Sequence, residues 1–320
     1  MPSIFHICAV LLAVFATSAA AQSYPTKPIR LIIPVAAGGG PDTIGRAVAI
    51  KLTDTLGQTV VVDNRAGASG AIAVELASQA APDGYTILLI SASQVIRPLL
   101  FKVPYDMYRD FAPITQLSSQ SYVLMASPKL PVKSVSELIT YGRANPGKLT
   151  YASVGQGSQI HLMTEFFRSM AKIEAVHVPY KGIGPAYPDL FAGNIQFMFG
   201  SIITSQGHIK ANRLQALAVS GPKRIRAMPD LPTVSEAGLK GFAVTQWYAF
   251  LAPAGTPAPI VEFLSRETNK ALLQPDVSGR MAAEGSEAVG ITPQQLAAHM
   301  KSEGAKWAKV IKDAGIKGEE

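Results

Sequence analysis

Cysteine is nearly absent from this sequence of 320 residues, in which Cys8 is the only one. It lies within residues 1–21, where a short apolar core and then small residues before Gln22 predict a signal peptide cleaved near Ala21. This start lacks the usual Lys or Arg, but its apolar core is too short to span a bilayer. The exported chain would then contain no cysteine, which excludes disulfides, a thiolate catalyst and cysteine-based metal sites. Export without disulfides favours a bacterial periplasm.

Other common signals are missing as well. No later run is long and apolar enough for a transmembrane helix. The five histidines show no metal-ligand spacing, so we expect no metal site. The formal charge of +7 comes from scattered basic residues, clustered briefly at 223–226, and aromatic residues do not interleave with them as in a nucleic-acid groove. This pattern favours small anions as ligands over nucleic acid.

Strands and helices alternate along the chain with short polar loops between them. This alternation predicts an α/β fold with parallel, doubly wound sheets, and the roughly 300 residues left after cleavage suit two such domains. Residues 60–62 predict a buried strand, and the extended stretches 111–125 and 244–251 are predicted to cross between the domains. Residues 260–314 are predicted to be mostly helical and to pack on the first domain.

A glycine-rich loop near the start of the chain is the first candidate site. The apolar stretch 29–35 leads to three glycines at 38–40, and Pro41 then begins a helical pattern. The N–H groups at such a helix start favour an anion. The simpler alternative is a tight turn that needs glycine for its backbone alone. Nucleotide binding is disfavoured, because Thr43 takes the place of a third glycine and no lysine follows as in a P-loop.

A similar loop, GQGS at 155–158, precedes a helical pattern in the second half of the chain. Two helix N-termini that face each other across a cleft can bind one anion from both sides. Serines at strand ends are further candidates, because open α/β sheets place ligands there, although a helix cap explains them equally well. A lone histidine is more often structural. The full set of predicted ligand-binding residues is Ala36, Ala37, Gly38, Gly39, Gly40, Asp42, Thr43, Ser91, Ser93, Gly155, Gln156, Gly157, Ser158, His161, Tyr180 and Ser201.

A serine hydrolase that uses Ser158 and His161 is the rival enzymatic interpretation. Ser158 follows the second glycine and so does not form a Gly-x-Ser-x-Gly elbow. A serine and a histidine three residues apart at one helix start rarely align as nucleophile and base. We therefore expect no catalytic residue and no cofactor.

Several segments occur in an order known from one family. They are PIRLIIP at 28–34, GGGPD at 38–42, VVDNRAGASG at 61–70, PDGYT at 82–86, YASVGQGS at 151–158, VPYKG at 178–182, PDLPTVSEAG at 229–238 and PAGTP at 253–257. With these segments the chain resembles the Bug, or TctC-like, periplasmic solute-binding receptors. The resemblance implies a two-lobed periplasmic binding-protein fold, type II-like, with two doubly wound lobes joined by two crossing strands. Residues 22–124 and 247–320 would form lobe 1, and residues 125–246 lobe 2.

The resemblance also implies a function. Such a receptor captures a small mono-, di- or tricarboxylate and delivers it to membrane subunits of a tripartite tricarboxylate transporter. Backbone groups and ordered water hold the carboxylate in two loops, which correspond here to residues 36–43 and 155–158. Val35 stands where many relatives carry an aromatic residue, which leaves the identity of the ligand open. We expect a periplasmic monomer without enzymatic activity. A receptor that reports to a sensor kinase of a two-component system stays an alternative, and the hydrolase is less favoured.

Overall fold

Lobe 1 is built on three parallel strands. The computed structural model of the protein describes residues 24–180, 182–283 and 285–318, so the predicted signal peptide lies outside the described residues. The strands are β1 (Ile29–Ile33), β2 (Val60–Asn64) and β3 (Thr86–Ser91), and the helices that follow them are α1 (Gly40–Leu56), α2 (Ala71–Ser78) and α3 (Ala92–Ile96). Because β1 pairs in parallel with both β2 and β3, the loops after all three strands lie at one edge of the sheet.

Lobe 2 repeats this arrangement with its own strands and helices. The strands are β5 (Leu149–Ser153), β6 (Ala175–Pro179), β7 (Phe197–Ser201) and β8 (Gln215–Val219), and the helices are α4 (Val135–Ala144), α5 (Gln159–Ala171), α6 (Ala186–Ala192) and α7 (Ile202–Lys210). β5 pairs in parallel with β6 and with β7. The second glycine loop therefore lies at the carboxyl edge of the lobe 2 sheet.

Two long strands connect the lobes, β4 (Phe111–Ala126) and β9 (Thr245–Pro253). β9 lies between β3 and β4 and runs antiparallel to both. Up to Ser121, β4 pairs with β9, and from Tyr122 onward it pairs with β7 and β8 instead. One strand thus belongs to the sheets of both lobes. The precise lobe bounds expected from the sequence stay a prediction.

The C-terminal segment returns to lobe 1 and also contacts lobe 2. It contains α8 (Ala258–Leu272), α9 (Pro275–Ala283), the short β10 (Glu287–Ala288) and α10 (Pro293–Ala314). α8 and α9 pack on α1, as predicted, while α10 packs on β4 and on α5 of lobe 2. The indoles of Trp247 and Trp307 are fully buried in an apolar cluster that runs from β3 to α5. Burial of large apolar groups between the lobes stabilises their relative position.

The structure corrects two sequence-based expectations about strands. Residues 60–62 were predicted to form a buried strand, yet Val61 is 48% exposed, because β2 lies at the edge of the sheet and pairs with β1 alone. The sheets were predicted to be parallel, but they are mixed, because the crossing strands run antiparallel to their neighbours. Across the described ranges, no helix is long and apolar enough to cross a membrane.

Candidate functional site

The first glycine loop ends in an uncapped helix start. α1 begins at Gly40 with the extended Gly39 as its N-cap, and no side chain caps it. Gly38 adopts a φ of +87°, a left-handed conformation that glycine tolerates best. Ala36, Ala37 and Gly38 are exposed. The helix start therefore faces outward with its backbone, as an anion site requires.

Asp42 holds this loop from the inside. Its carboxylate accepts hydrogen bonds from the Gly38 N–H at 2.8 Å, from Arg46 Nε at 2.9 Å and from Asn64 Nδ2 at 2.8 Å. Asn64 also donates to the Val35 carbonyl at 3.0 Å. Burial opposes ionisation of Asp42, but these hydrogen bonds outweigh it and lower the pKa of the carboxyl. Asp42 fixes the loop through these contacts, and its predicted role as a ligand contact stays a prediction.

The end of β3 lies next to this loop. Ser91 is buried and caps α3, accepting from the Ser93 N–H at 3.3 Å, while its own hydroxyl donates to Gln94 Oε1 at 2.8 Å. Tyr248 of β9 is directly opposite Ser91 in the sheet register. A methyl group placed on Gly40 would lie 3.4 Å from the Tyr248 hydroxyl. The loop, the end of β3 and the crossing strand thus meet at the carboxyl edge of lobe 1.

Side chains of lobe 2 fix the backbone of the second glycine loop. The Ser153 hydroxyl contacts both the N–H and the carbonyl of Gly155 at 3.1 Å. The Gly157 N–H donates to His161 Nδ1 at 3.0 Å, and Ser158 caps α5 by accepting from the His161 N–H at 3.2 Å. Gly155 and Gly157 have φ of +117° and +70°, which require glycine for an unstrained backbone.

A pair of stacked histidines lies beneath this loop. The rings of His161 and His177 are 4.1 Å apart, and His177 Nε2 is 2.6 Å from the Ser153 hydroxyl. Burial, and then the neighbouring His177, lower the pKa of His161 to about 4. The ring is therefore neutral at pH 7, and its Nδ1 can accept the Gly157 hydrogen bond. His161 is a support for the loop.

The hydrolase arrangement is not formed. The Ser158 hydroxyl contacts the backbone of His161, while the His161 ring accepts from Gly157. Ser153 and His177 do form a side-chain hydrogen bond, but Ser153 is fully buried and no substrate reaches it. In the described part of the chain no group of His, Cys, Asp or Glu side chains could hold a metal ion.

A cleft of about 380 Å³ opens between the lobes, and we call it the interlobe cleft. Lobe 1 lines it with Ser93, Ile96, Arg97, Leu100 and Phe101; lobe 2 with Val154, Gln156, Gly157, Ser158, Gln159 and Ile160; and the crossing strands with Tyr122 and Gln246. Its walls approach closely, because a methyl group on Gly157 would lie 3.0 Å from Leu100 Cδ1.

The cleft brings together only some of the residues predicted from the sequence. Ser93, Gln156, Gly157 and Ser158 line it. The predicted residues outside its lining are Ala36, Ala37, Gly38, Gly39, Gly40, Asp42, Thr43, Ser91, Gly155, His161, Tyr180 and Ser201. The first loop is therefore not part of the lining. Tyr248 lies between the two regions, with its hydroxyl beside Gly40. Burial, and then the nearby Tyr248, raise the pKa of the cleft residue Tyr122.

Tyr180 and Ser201 have local partners. The Tyr180 hydroxyl donates to Asp189 at 2.6 Å. Ser201 caps α7, accepting from the Thr204 N–H at 3.3 Å. These contacts organise lobe 2, and the predicted ligand contacts of both residues stay predictions.

Sequence reasoning missed Arg97, Tyr122 and Gln246. Arg97 follows the end of β3 by six residues, directly after the short helix α3. This position could have been used as a signal, because the strand end was already identified as a ligand-binding edge. Tyr122 and Gln246 lie within strands predicted to cross. Nothing in their local sequence indicates which face of the strand they occupy at the crossing.

Comparisons with known proteins agree with this architecture. The profile of the tripartite tricarboxylate transporter family receptor matches residues 44–316. The UPF0065 protein in the tcbD-tcbE intergenic region of Pseudomonas sp. (strain P51) is 38% identical over 95% of this chain and 92% of its own. Protein BugT of Bordetella pertussis (strain Tohama I) is 36% identical over 94% of each chain.

Solved structures extend the similarity. An R. palustris protein with adipate is 34% identical, with a TM-score of 0.76 over 92% of this chain and 100% of that one. The periplasmic binding protein BugD is 34% identical, with a TM-score of 0.72 over 92% and 100%. MatC from Rhodopseudomonas palustris with bound malate is 30% identical, with a TM-score of 0.71 over 90% and 100%. The chain therefore belongs to the tripartite tricarboxylate transporter receptors, the TctC or Bug family of two-lobed periplasmic binding proteins.

Proposed function

We propose that this protein is a periplasmic receptor that captures a small carboxylate in the interlobe cleft and delivers it to the membrane subunits of a tripartite tricarboxylate transporter. The observation that carries the proposal is the cleft itself, lined by both lobes and by the start of α5 at Gly157 and Ser158. A volume of about 380 Å³ falls within the usual range for small-molecule sites. Family members with adipate and malate support the ligand class.

The first glycine loop completes the proposed site when the lobes move. Its uncapped helix start lies at the same sheet edge as Ser91, next to the crossing strand that carries Tyr248. Ordered water or a shift of the lobes would connect it to the ligand. The lobes are joined by strands, and such connections permit hinge closure around a ligand.

Helix dipoles alone do not supply the affinity. A helix start contributes about 0.3–1 kcal/mol, and up to about 2 kcal/mol when partly buried. Micromolar binding requires about 8 kcal/mol. Direct N–H hydrogen bonds, bridging water and burial of the ligand on closure must supply most of the difference. The ligand is bound and released unchanged, and the absence of a Ser158–His161 pair supports this part of the proposal.

Ligand-dependent melting tests the ligand class. At a hundred times its Kd, a ligand that binds the folded state raises the free energy of unfolding by about 2.7 kcal/mol. We expect mono-, di- or tricarboxylates to raise the Tm and the matching neutral amides to leave it unchanged. The proposal fails if no acid in a broad panel raises the Tm while a neutral or phosphorylated compound does.

A matched pair of cap variants tests the location of the site. Ser158 caps α5 at the cleft, and Ser134 caps α4 away from it in the same manner, accepting from the Glu137 N–H. Ser158→Ala and Ser134→Ala should each destabilise the fold by about 1 kcal/mol. Only Ser158→Ala should weaken carboxylate binding. Equal binding by both variants would place the ligand elsewhere.

Transport and export need cellular assays. We expect cells that lack this protein to lose uptake of the labelled acid that raises the Tm, and uptake to return with the intact gene. Mass spectrometry of protein recovered from the periplasm should give an N-terminus near Gln22. Normal uptake in the deletion strain would contradict the transport role without affecting the binding role.

A further inference from the structure

Arg97 occupies a distinctive position in the interlobe cleft. It begins the 3-10 turn Arg97–Leu99, which directly follows α3, so its backbone is fixed at the carboxyl edge of lobe 1. Leu100, at the end of the same turn, approaches Gly157 of the opposite wall. Arg97 therefore lies on the lobe 1 wall, facing the loop at the start of α5. Among the described residues that line the cleft, it is the one charged side chain.

The charge of Arg97 is not neutralised by the protein. Its guanidinium lies over the Phe101 ring, 4.6 Å from the centroid. No carboxylate of the described residues lies within ion-pair distance of it, and its Nε is buried without a hydrogen-bond partner. A buried guanidinium donor without an acceptor is costly, so such groups normally have one.

A second buried polar atom in the cleft lining also lacks a partner. This atom is Oε1 of Gln246, on the crossing strand β9. Both unsatisfied atoms belong to side chains that line the cleft, although they come from different elements of the fold. Nε of Arg97 needs an acceptor, such as a carboxylate oxygen, whereas Oε1 of Gln246 needs a donor, such as a ligand hydroxyl or an ordered water.

We propose that Arg97 determines specificity by binding a second carboxylate of the ligand. The inference rests on the proposed function, in which the first carboxylate lies at the start of α5. The planar guanidinium presents paired N–H donors that match a carboxylate, and its stacking on Phe101 holds the plane in one orientation. A dicarboxylate then connects the two lobes through one anionic group at each end. A monocarboxylate leaves Arg97 without its acceptor.

Calorimetric titration of matched ligands tests this role. The probes are straight-chain dicarboxylates from succinate to adipate and the monomethyl ester of each. We expect the wild-type protein to bind at least one diacid about 10- to 100-fold more tightly than its half-ester, as a charge-assisted bond implies. Arg97→Gln should remove that preference, measured as the ratio of the half-ester Kd to the diacid Kd on the same variant. Arg97→Lys, which keeps the charge without the paired donors, should give an intermediate preference.

Arg213 provides a matched control. Its guanidinium also lies over an aromatic ring, 4.2 Å from the centroid of Phe191, but it is exposed in lobe 2 and does not line the cleft. Arg213→Gln should bind diacid and half-ester as the wild type does. Because the diacid preference is the ratio of two affinities measured on one variant, a smaller folded fraction of Arg97→Gln lowers both equally and leaves that ratio unchanged.

The outcomes separate the two proposals. Equal affinity of the wild type for diacid and half-ester, or an unchanged preference in Arg97→Gln, overturns the role of Arg97 and leaves the carboxylate receptor intact. If a neutral or phosphorylated compound binds and no carboxylate does, the proposed function fails, and the role of Arg97 fails with it. If the wild type and Arg213→Gln prefer the diacid and Arg97→Gln does not, the result supports both proposals.

Discussion

Asp42→Asn should weaken the first glycine loop by a measurable amount. The carboxylate accepts from Gly38, Arg46 and Asn64 with both of its oxygens, and its side chain is only 4% exposed. An amide of the same shape has one acceptor oxygen and one NH2 group. In either orientation the NH2 meets at least one of these donors, and the charge is lost. Losing charge-assisted hydrogen bonds of this kind costs about 1.5–3 kcal/mol.

Urea unfolding of wild type and Asp42→Asn measures this loss. Glu236→Gln is the control, because Glu236 also accepts from a backbone N–H and an arginine, Arg224, but is half exposed, so its loss should cost less than the loss of the Asp42 carboxylate. Carboxylate affinity should fall in Asp42→Asn, since the loop that presents the helix start is no longer fixed. If the free energy of unfolding of Asp42→Asn lies within about 0.5 kcal/mol of the wild-type value, Asp42 does not fix the loop as proposed.

Unfolding at acidic pH gives an independent test on wild type and Asp42→Asn. The folded state lowers the pKa of Asp42 below its usual 3.8. Its contribution to stability is therefore complete above about pH 4 and is lost as the pH falls through the lowered folded-state value. The stability difference between wild type and Asp42→Asn should narrow over that acid range. A difference independent of pH would contradict an ionised Asp42 in the folded protein.

Three further predictions concern other parts of the chain. Gly155→Ala should cost about 1–2 kcal/mol in urea unfolding, because its φ is +117° with open space around it, whereas Gly184→Ala, also in open space but without positive φ, should cost less. Between pH 6.5 and 4 the unfolded state protonates His161 and the folded state does not, so the free energy of unfolding should fall by up to about 3 kcal/mol, and His161→Gln should reduce that slope. Glu303→Ala should lower the Tm, because the buried Trp307 N–H, 3.1 Å from that carboxylate, loses its acceptor, at a cost of about 1–3 kcal/mol.

Local features of the fold were predictable from the sequence. Glycine and proline marked the start of α1, and the GQGS loop at 155–158 marked the start of α5. These signals act over one helical turn, so neighbouring residues suffice to identify them. The family motifs supplied the two-lobed fold, which the structure and the comparisons confirm.

Features set by distant contacts were not predictable in this way. The apolar stretch of β2 looks buried, but its exposure depends on which strands pair beside it. Whether Arg97 lines the cleft likewise depends on how lobe 2 packs against the turn after α3. Candidate hydroxyls such as Ser91 and Ser201 were correctly located at strand ends, yet both are used as helix caps. Sequence pattern identified the edge of the sheet and could not assign the direction of each side chain.

The exchange of partners along β4 has a consequence for biosynthesis. The strands of lobe 2 come from one continuous stretch of chain, from Tyr122 of β4 to the end of β8. The sheet of lobe 1 is built from two separate stretches of chain. One edge of β3 pairs with β9, which is synthesised only after the residues of lobe 2. Until then the apolar β3 exposes an unpaired edge, the kind of surface through which nascent chains aggregate. The sheet of the lobe that begins the chain is therefore completed only by a strand that is made after lobe 2.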